Sequence, residues 1–170
     1  GQYGISVESS GSNAQLSNLL VYLFSRSSAR GISVAGSATI RNSFLFTNTD
    51  SIVIASSNVT VQNCSLYGHS SIGLQAGGYG ALVVENVAAG GTGTDFSGVS
   101  FSSFNNNLSA DSSAGSYGGT GNLPNKAAAN QFVSLGTPDL HLRTGADALN
   151  AGRDLSGSFL TDIDGEARPM

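Results

Sequence analysis

The sequence predicts an all-β protein, a parallel β-helix of about four to five coils closed by an irregular C-terminal cap. Three observations predict this fold. An aliphatic motif returns about every 20 residues, and an Asn ends a short alternating segment in each unit. The composition is also poor in charge (11%) and contains 23 Gly among 170 residues. Gly, Ser and Asn lower helix propensity and favour turns, which disfavours a helical fold.

The first strand of each unit carries a small residue, an Ile and, two positions later, another apolar residue. The copies are residues 4–7, 31–34, 51–54 and 71–74. From Ile32 to Ile52 and from Ile52 to Ile72 the spacing is 20 residues, and the longer gap after Ile5 predicts an insertion near residues 9–13. Because equivalent positions of a β-helix stack coil on coil, we expect Ile5, Ile32, Ile52 and Ile72 to form one inward row.

The second strand of each unit ends in an aliphatic residue, one further residue and Asn. This pattern predicts a second inward row of Leu16, Ile40, Val61 and Val84. Three residues beyond each Asn comes another apolar position, at Val21, Leu45, Leu66 and Ala89, so we expect three short strands in each unit. Asn tolerates a left-handed backbone better than most residues, and stacked amides can hydrogen-bond one another. We therefore expect an Asn at the turn of each unit, and a ladder in which the amides of Asn18, Asn42, Asn63 and Asn86 stack from coil to coil.

The repeat fades after Gly90, and this divides the chain into coils and cap. Phe96, Val99, Phe101 and Phe104 predict a last coil filled with aromatic side chains. We assign residues 1–108 to the coils and residues 109–170 to a loop-rich cap packed on the same domain, with a long surface loop at residues 109–122. Both ends of the chain look cut from something longer. The first coil has no cap, so either preceding residues or a partner chain covers it, and we expect protein partners or self-association at this coil.

Charge and cysteine content exclude several classes of function. Net charge is −4 and the seven cationic residues are scattered, which argues against nucleic-acid binding. No apolar run approaches the roughly 20 residues that span a bilayer, so membrane insertion is not expected. The single Cys64 cannot form an intrachain disulfide or a thiolate-rich metal site, and no cofactor is expected.

The C-terminal third carries a series of short motifs in a fixed order. They are GTGN at residues 119–122, NQFV at 130–133, DLHL at 139–142, GADALNAG at 145–152 and DIDGEARP at 162–169. Together they resemble the C-terminal end of large right-handed parallel β-helix proteins of bacterial surfaces and phage genomes. The resemblance implies a right-handed, single-stranded solenoid at an extracellular, virion or cell-surface location. It does not select a function, since such proteins include enzymes, adhesins and virion parts.

A weaker similarity points to polygalacturonase-like glycosidases of the same fold. Residues 48–50 (NTD) and the Gly68-His69 pair match parts of that family's pattern, but its paired Asp and its Arg-x-Lys are missing. Glycoside hydrolysis requires two carboxylates across the scissile bond. An enzyme would therefore need Asp50 and His69 to project into one groove, with a second carboxylate about 5–10 Å from Asp50.

The sequence thus predicts a non-enzymatic structural, adhesive or decoration module of a virion or cell surface, which acts through protein assembly. Carbohydrate binding is a second function that fits such a module. Exposed aromatic residues would carry glycan binding, with Tyr3, Tyr22, Tyr67 and Tyr79 as candidates. The alternative is a polysaccharide-degrading hydrolase or lyase with Asp50 and His69 near its centre. No catalytic or metal-binding residue is assigned. His69 and His141 are expected at the surface or in turns, and Asp162, Asp164 and Glu166 are expected in a solvated acidic turn rather than a Ca²⁺ loop.

Overall fold

The computed structural model of the protein describes residues 2–9, 13–56, 58–77, 81–98 and 100–167. These residues form a parallel β-solenoid of about four turns without an α-helix, as the sequence predicts. The strands are, in chain order, β1 (Tyr3–Val7), β2 (Ala14–Ser17), β3 (Leu20–Tyr22), β4 (Arg30–Val34), β5 (Ala38–Phe46), β6 (Asp50–Ile54), β7 (Val59–Tyr67), β8 (Ile72–Ala76), β9 (Leu82–Glu85), β10 (Ala88–Gly90), β11 (Thr94–Gly98), β12 (Ser103–Asn105) and β13 (Leu108–Ser109).

Two parallel sheets make up the walls of the solenoid. The first sheet stacks β1, β4, β6, β8 and β11 in that order, one strand from each turn. The second sheet contains the other eight strands, in which the long β5 and β7 each pair with two short strands above or below them. Each turn therefore contributes one strand to the first sheet and two strand segments to the second, which matches the three short strands predicted per unit.

The inward row of the first sheet is confirmed at three of its four predicted positions. Ile5, Ile32 and Ile52 lie in register, but the next member is Leu74, not Ile72. Ile72 instead pairs with Asp50. Two connections are each one residue longer than in the preceding turn: residues 55–58 between β6 and β7 against 35–37 between β4 and β5, and residues 68–71 between β7 and β8 against 47–49 between β5 and β6. Together they shift the register by the two residues that separate Ile72 from Leu74.

The predicted inward row of the second sheet is confirmed in full, and the apolar positions beyond each Asn form a further row. Leu16, Ile40, Val61 and Val84 pair in register, and Phe104 extends that row into the last turn. Val21, Leu45, Leu66 and Ala89 form the other row. Nearly all of these side chains are buried in one continuous core, so burial of their apolar surface drives the stacking of one turn on the next.

Between the two segments of the second sheet the chain turns at a column of five Asn residues, which we call the Asn corner. Its members Asn18, Asn42, Asn63, Asn86 and Asn106 have φ values of 56°, 50°, 51°, 56° and 54°. The residues that precede them pair in register from turn to turn. The predicted turning role of Asn is thus confirmed, with Asn106 as a fifth member, and direct stacking of the amides stays a prediction.

The last turn is filled with aromatic rings, as predicted for Phe96, Phe101 and Phe104; Val99 lies outside the described residues. Tyr117 joins them, with its ring centroid 4.8 Å from Phe101 and 5.3 Å from Phe104, and its hydroxyl accepts a hydrogen bond from Gly98 N at 3.1 Å. The prediction of a surface loop at residues 109–122 is therefore wrong in part. This stretch forms a 3-10 turn at Ser113–Gly115 and closes the lower end of the solenoid.

A second apolar cluster lies outside the solenoid. Phe132 and Leu140 from the C-terminal region are buried against Phe46, Ala88 and Leu108 on the outer face of the second sheet. In this region Phe132 and Leu142 form an isolated antiparallel bridge. The last paired strand ends at Ser109, and the division between coils and cap at residue 108 stays a prediction.

Candidate functional site

The first turn of the solenoid is open on its upper side. β1 pairs only with β4, and β2 and β3 pair only with β5, among the residues that the structure describes. One edge of each of these three strands is therefore left without a partner strand. Such an edge presents backbone N–H and C=O groups in the geometry that another strand would bind.

Apolar side chains are exposed on the same turn. Tyr3, Leu20, Tyr22 and Leu23 are among the most exposed large apolar residues of the described chain, with Leu23 at 60%. In the turns below, the positions that pair with Leu20 and Tyr22 are Phe44 and Phe46, which pack against the C-terminal region. The outer face of the second sheet is thus covered in its lower turns and uncovered in the first.

His69 lies inside the solenoid, contrary to the expectation of a surface or turn position. Its side chain is 0% exposed, and its Nε2 lies 2.9 Å from Oδ1 of Asp95, which is 1% exposed. The contact is close but poorly aligned for a hydrogen bond. Asp95 accepts backbone hydrogen bonds from Gly91, Ala110 and Asp111 at 3.1, 2.6 and 3.2 Å, so the carboxylate is held by the turns around it.

The motif at residues 48–50 is also built into the wall. Asn48 is buried, accepts a hydrogen bond from Phe24 N at 3.1 Å and donates one to Val21 O at 3.1 Å, which fastens two turns together. Asp50 begins β6 and is half-buried, with Oδ1 buried and unbonded within the described residues. Because His69 faces the interior, Asp50 and His69 do not share the outward groove that the enzyme alternative requires.

The C-terminal segment of residues 151–164 runs along the Asn corner. Asn106 Nδ2 donates to Ala151 O, Asn86 Nδ2 to Arg153 O and Asn42 Nδ2 to Thr161 O, each at 2.8 Å. Arg153 N returns a hydrogen bond to Asn86 Oδ1 at 2.7 Å. The segment therefore passes from the last turn toward the second, and the corner amides bind its backbone.

Two arginines add charge to this contact. Arg153 Nη1 lies 2.7 Å from Oε1 of the buried Glu85, which also accepts hydrogen bonds from Gln62 and Ser103. Burial raises the pKa of Glu85, but these hydrogen bonds and the Arg153 charge outweigh burial and hold the pKa below its ordinary value. Farther along, the Arg41 guanidinium lies 5.3 Å from the ring centre of Phe159.

A cleft of about 630 Å³ lies between this segment and the coils. Its floor comes from the second sheet and the Asn corner, including Phe44 and Ser65, and its roof includes Leu149, Leu155 and Ile163. Pockets for small molecules have volumes of roughly 300–1,000 Å³ and are mostly apolar with a few polar groups, and the cleft falls within that range.

His141 lies at the mouth of the cleft between two carboxylates. Its Nδ1 is 2.5 Å from Asp139 Oδ1 and its Nε2 is 2.7 Å from Asp164 Oδ2, while its ring packs edge-on against Phe44 with centroids 4.9 Å apart. Burial lowers the pKa of His141, but the hydrogen bonds to both carboxylates outweigh it and raise the pKa above its ordinary value. The hydrogen bond with His141 in turn lowers the pKa of Asp139.

The acidic stretch near the C-terminus forms a turn. Asp162 Oδ1 accepts hydrogen bonds from Asp164 N at 3.0 Å and Glu166 N at 2.9 Å. Within the described residues, no group of three or more His, Cys, Asp or Glu side chains is arranged to hold a metal ion.

The aromatic candidates for glycan binding are dispersed. Tyr3 and Tyr22 are exposed on the first turn, and Arg30 lies over the Tyr3 ring at 5.7 Å. Tyr67 is half-buried, stacked on Phe46 and packed edge-on against Phe132, 6.0 Å away. Tyr79 lies outside the described residues.

Two contacts escaped the sequence analysis: that of Arg153 with Glu85 and that of His141 with Asp164. The Asp-x-His spacing of residues 139 and 141 is visible in the sequence, since two residues apart in an extended chain share a side. Asp164 is 23 residues from His141 and follows an irregular path, so no periodicity predicts their contact.

The fold defines the chain as a parallel β-solenoid. No family model, no curated protein and no solved structure matches it. None of the helices in the described residues has the length and apolar character needed to cross a membrane.

Proposed function

We propose that the chain is a non-enzymatic structural or adhesive module of a virion or cell surface, which assembles with other protein surfaces through its first turn. The observation that carries the proposal is the open edge of β1, β2 and β3. Unpaired strand edges bind further strands readily, and proteins usually cover them.

The two ends of the solenoid differ in a way that supports this function. The lower end is closed by the turn at Ser113–Gly115 and by Tyr117, which fills the last coil. The upper end combines free strand edges with exposed Leu20, Tyr22 and Leu23. Exposed apolar surface next to an unpaired edge is typical of an interaction site.

The surface location rests on the resemblance of the C-terminal motifs to those of large β-helix proteins of phage and bacterial surfaces. Low charge and abundant Ser, Thr and Asn suit a stiff, hydrated particle surface. Glycan binding is a second role that fits the exposed Tyr3 and Tyr22 on the same turn, because aromatic rings stack on sugars.

Sedimentation velocity over a wide concentration range tests assembly with a second copy, the simplest partner. We expect a mass above that of the monomer, with loss of the larger species in Leu23→Lys. Leu160→Lys is the matched control, since Leu160 is 64% exposed and Leu23 60%, but Leu160 lies on the C-terminal segment. A monomer at every concentration, with both variants alike, contradicts self-association through the first turn.

An assay of polysaccharide cleavage separates the proposal from the enzyme alternative. We expect neither new reducing ends nor unsaturated sugars from a panel of acidic and neutral polysaccharides. Cleavage by the wild type that disappears in Asp50→Asn would overturn the non-enzymatic proposal and place a catalytic site beside β6.

A further inference from the structure

The two ends of the C-terminal segment are held by different chemistry. At residues 151–153 the charged contact is Arg153 with Glu85, and the guanidinium stays charged at every accessible pH. At residues 161–164 the charged contact is His141 with Asp164, and histidine changes its charge near neutral pH. The near end is therefore fixed, and the far end depends on protonation.

A neutral imidazole carries one N–H donor, whereas the imidazolium carries two. With Nδ1 on Asp139 and Nε2 on Asp164, only the protonated ring donates to both carboxylates. When the proton leaves, one carboxylate faces a nitrogen lone pair at 2.5 or 2.7 Å. That arrangement is repulsive, and the exposed turn around Asp164 is the part free to move away.

We propose that His141 is a pH-dependent latch: protonated, it holds the far end of the C-terminal segment over the cleft, and deprotonated, it releases that end. Asn42, which donates to Thr161 O, stays a neutral partner at all pH values. The Arg41 guanidinium over the Phe159 ring does not titrate in this range either. Opening therefore concerns residues 162–164, while Asn42, Arg41 and Arg153 keep the rest of the segment attached.

Among the described residues around the His141 ring, Asp139 and Asp164 are the charged groups in direct contact with it. The second sheet contributes Leu20 and Phe44 to the space around the ring, and neither of them titrates. The C-terminal turn contributes Asp164, with Asp162 farther along the cleft, and His141's own loop contributes Asp139. The residues opposite His141 are Phe132 and Val133, and neither side chain titrates. The backbone N–H of Val133 donates a hydrogen bond to His141 O.

The direction of the pH effect follows from the raised pKa of His141. A group whose pKa is higher in the closed form stabilises that form fully below its ordinary value, about 6.5 for histidine. This stabilisation is lost as the pH rises through the raised value. The latch is therefore closed below pH 6.5 and opens as the pH rises through the raised pKa of His141.

Nuclear magnetic resonance of the full chain tests the latch. The chain has two histidines, and the buried His69 makes the exposed His141 easy to assign. The methyl group of Ile163 reports closure, since Ile163 lines the cleft with the Phe44 ring. We expect the Ile163 methyl signal to move toward its free-chain position with the same midpoint as the His141 ring, above pH 6.5.

Three variants sharpen the test. Asp164→Asn should lower the His141 midpoint and carry the Ile163 transition with it. His141→Gln should abolish the Ile163 transition altogether. Asp147→Asn is the matched control, because Asp147 is an exposed carboxylate that pairs with Lys126 instead, and it should change neither midpoint.

Wild-type protein alone can refute the proposal, whatever the variants do. An Ile163 methyl signal that stays constant while His141 titrates would show that the segment does not follow the charge. A His141 midpoint at or below pH 6.5 would show that the two carboxylates do not hold the proton, and would equally overturn the latch.

Discussion

Asn86 and Arg153 hydrogen-bond in both directions. The Asn86 amide donates to the backbone oxygen of Arg153 at 2.8 Å, and the Arg153 N–H donates to the Asn86 oxygen at 2.7 Å. At the same time, Asn86 has a left-handed backbone with φ of 56°. One residue therefore both turns a coil and binds the C-terminal segment.

These two roles of Asn86 can be separated by substitution. Asn86→Gly keeps the turn but loses the amide, and should lower the free energy of unfolding by about 1–2 kcal/mol. Asn86→Ala adds left-handed strain, for a total of about 2–4 kcal/mol. Urea denaturation measures both. Asn18→Ala is the control for strain alone, since Asn18 has the same φ but is exposed on the first turn. A Gly variant as stable as wild type would show that the amide contributes nothing.

The buried carboxylate of Asp95 should be among the most sensitive positions of the chain. Asp95→Ala leaves three backbone N–H donors without their acceptor and removes the carboxylate beside the buried His69. We expect a loss of about 3–5 kcal/mol in guanidinium denaturation. Asp95→Asn keeps one oxygen and should lose less. If Asp95→Ala unfolds at the wild-type midpoint, Asp95 is not holding the turns together.

Acid should weaken the contact between Glu85 and Arg153. Because the pKa of Glu85 is lowered in the folded chain, its stabilising effect is present above its ordinary value of about 4.5 and is lost as the pH falls through the lowered value. Urea denaturation of wild type and Glu85→Gln at a series of pH values checks this. The stability difference should be largest above pH 5 and shrink below pH 4. A difference that grows in acid would contradict the assignment.

Gly93 lies where the chain has no room for a side chain. A Cβ at this position would lie 1.9 Å from Ser71 O and 2.5 Å from Ser71 C, both backbone atoms. Gly93→Ala should therefore cost at least about 3 kcal/mol, because the backbones of two turns must move apart. Gly136→Ala is the control, since a Cβ there has no neighbour within 4 Å. Thermal unfolding followed by circular dichroism compares them, and equal midpoints would refute the steric argument.

The solenoid could be predicted because its signals are periodic. Leu16, Ile40, Val61 and Val84 repeat one environment, and the left-handed Asn marks the same corner each time. Ile72 was wrongly placed in the inward row because two connections, each one residue longer than in the preceding turn, leave no trace in composition. His69 was misplaced because a polar side chain inside a coil depends on a single buried partner, Asp95.

The path of the C-terminal segment could not be predicted for a different reason. The corner amides bind backbone oxygens of Ala151, Arg153 and Thr161, and every residue offers such an oxygen. The sequence of the segment therefore carries no mark of the contact. Only the Asp-x-His spacing at residues 139 and 141 indicates that two titratable side chains lie together beside the segment.

The C-terminal segment also gives the solenoid a mechanical asymmetry. The hydrogen bonds between turns run along the long axis of the solenoid. Tension along that axis therefore loads these hydrogen bonds between each turn and the next. From Asn106 to Asn42 the segment spans three spacings between turns, about 14 Å. Separating those turns therefore also requires the hydrogen bonds between the segment and the Asn corner to break. Within the part of the chain that the structure describes, its hydrogen bonds with the Asn corner begin at Asn42 and do not include Asn18. Under load or heat, fracture should therefore begin between the first and second turns.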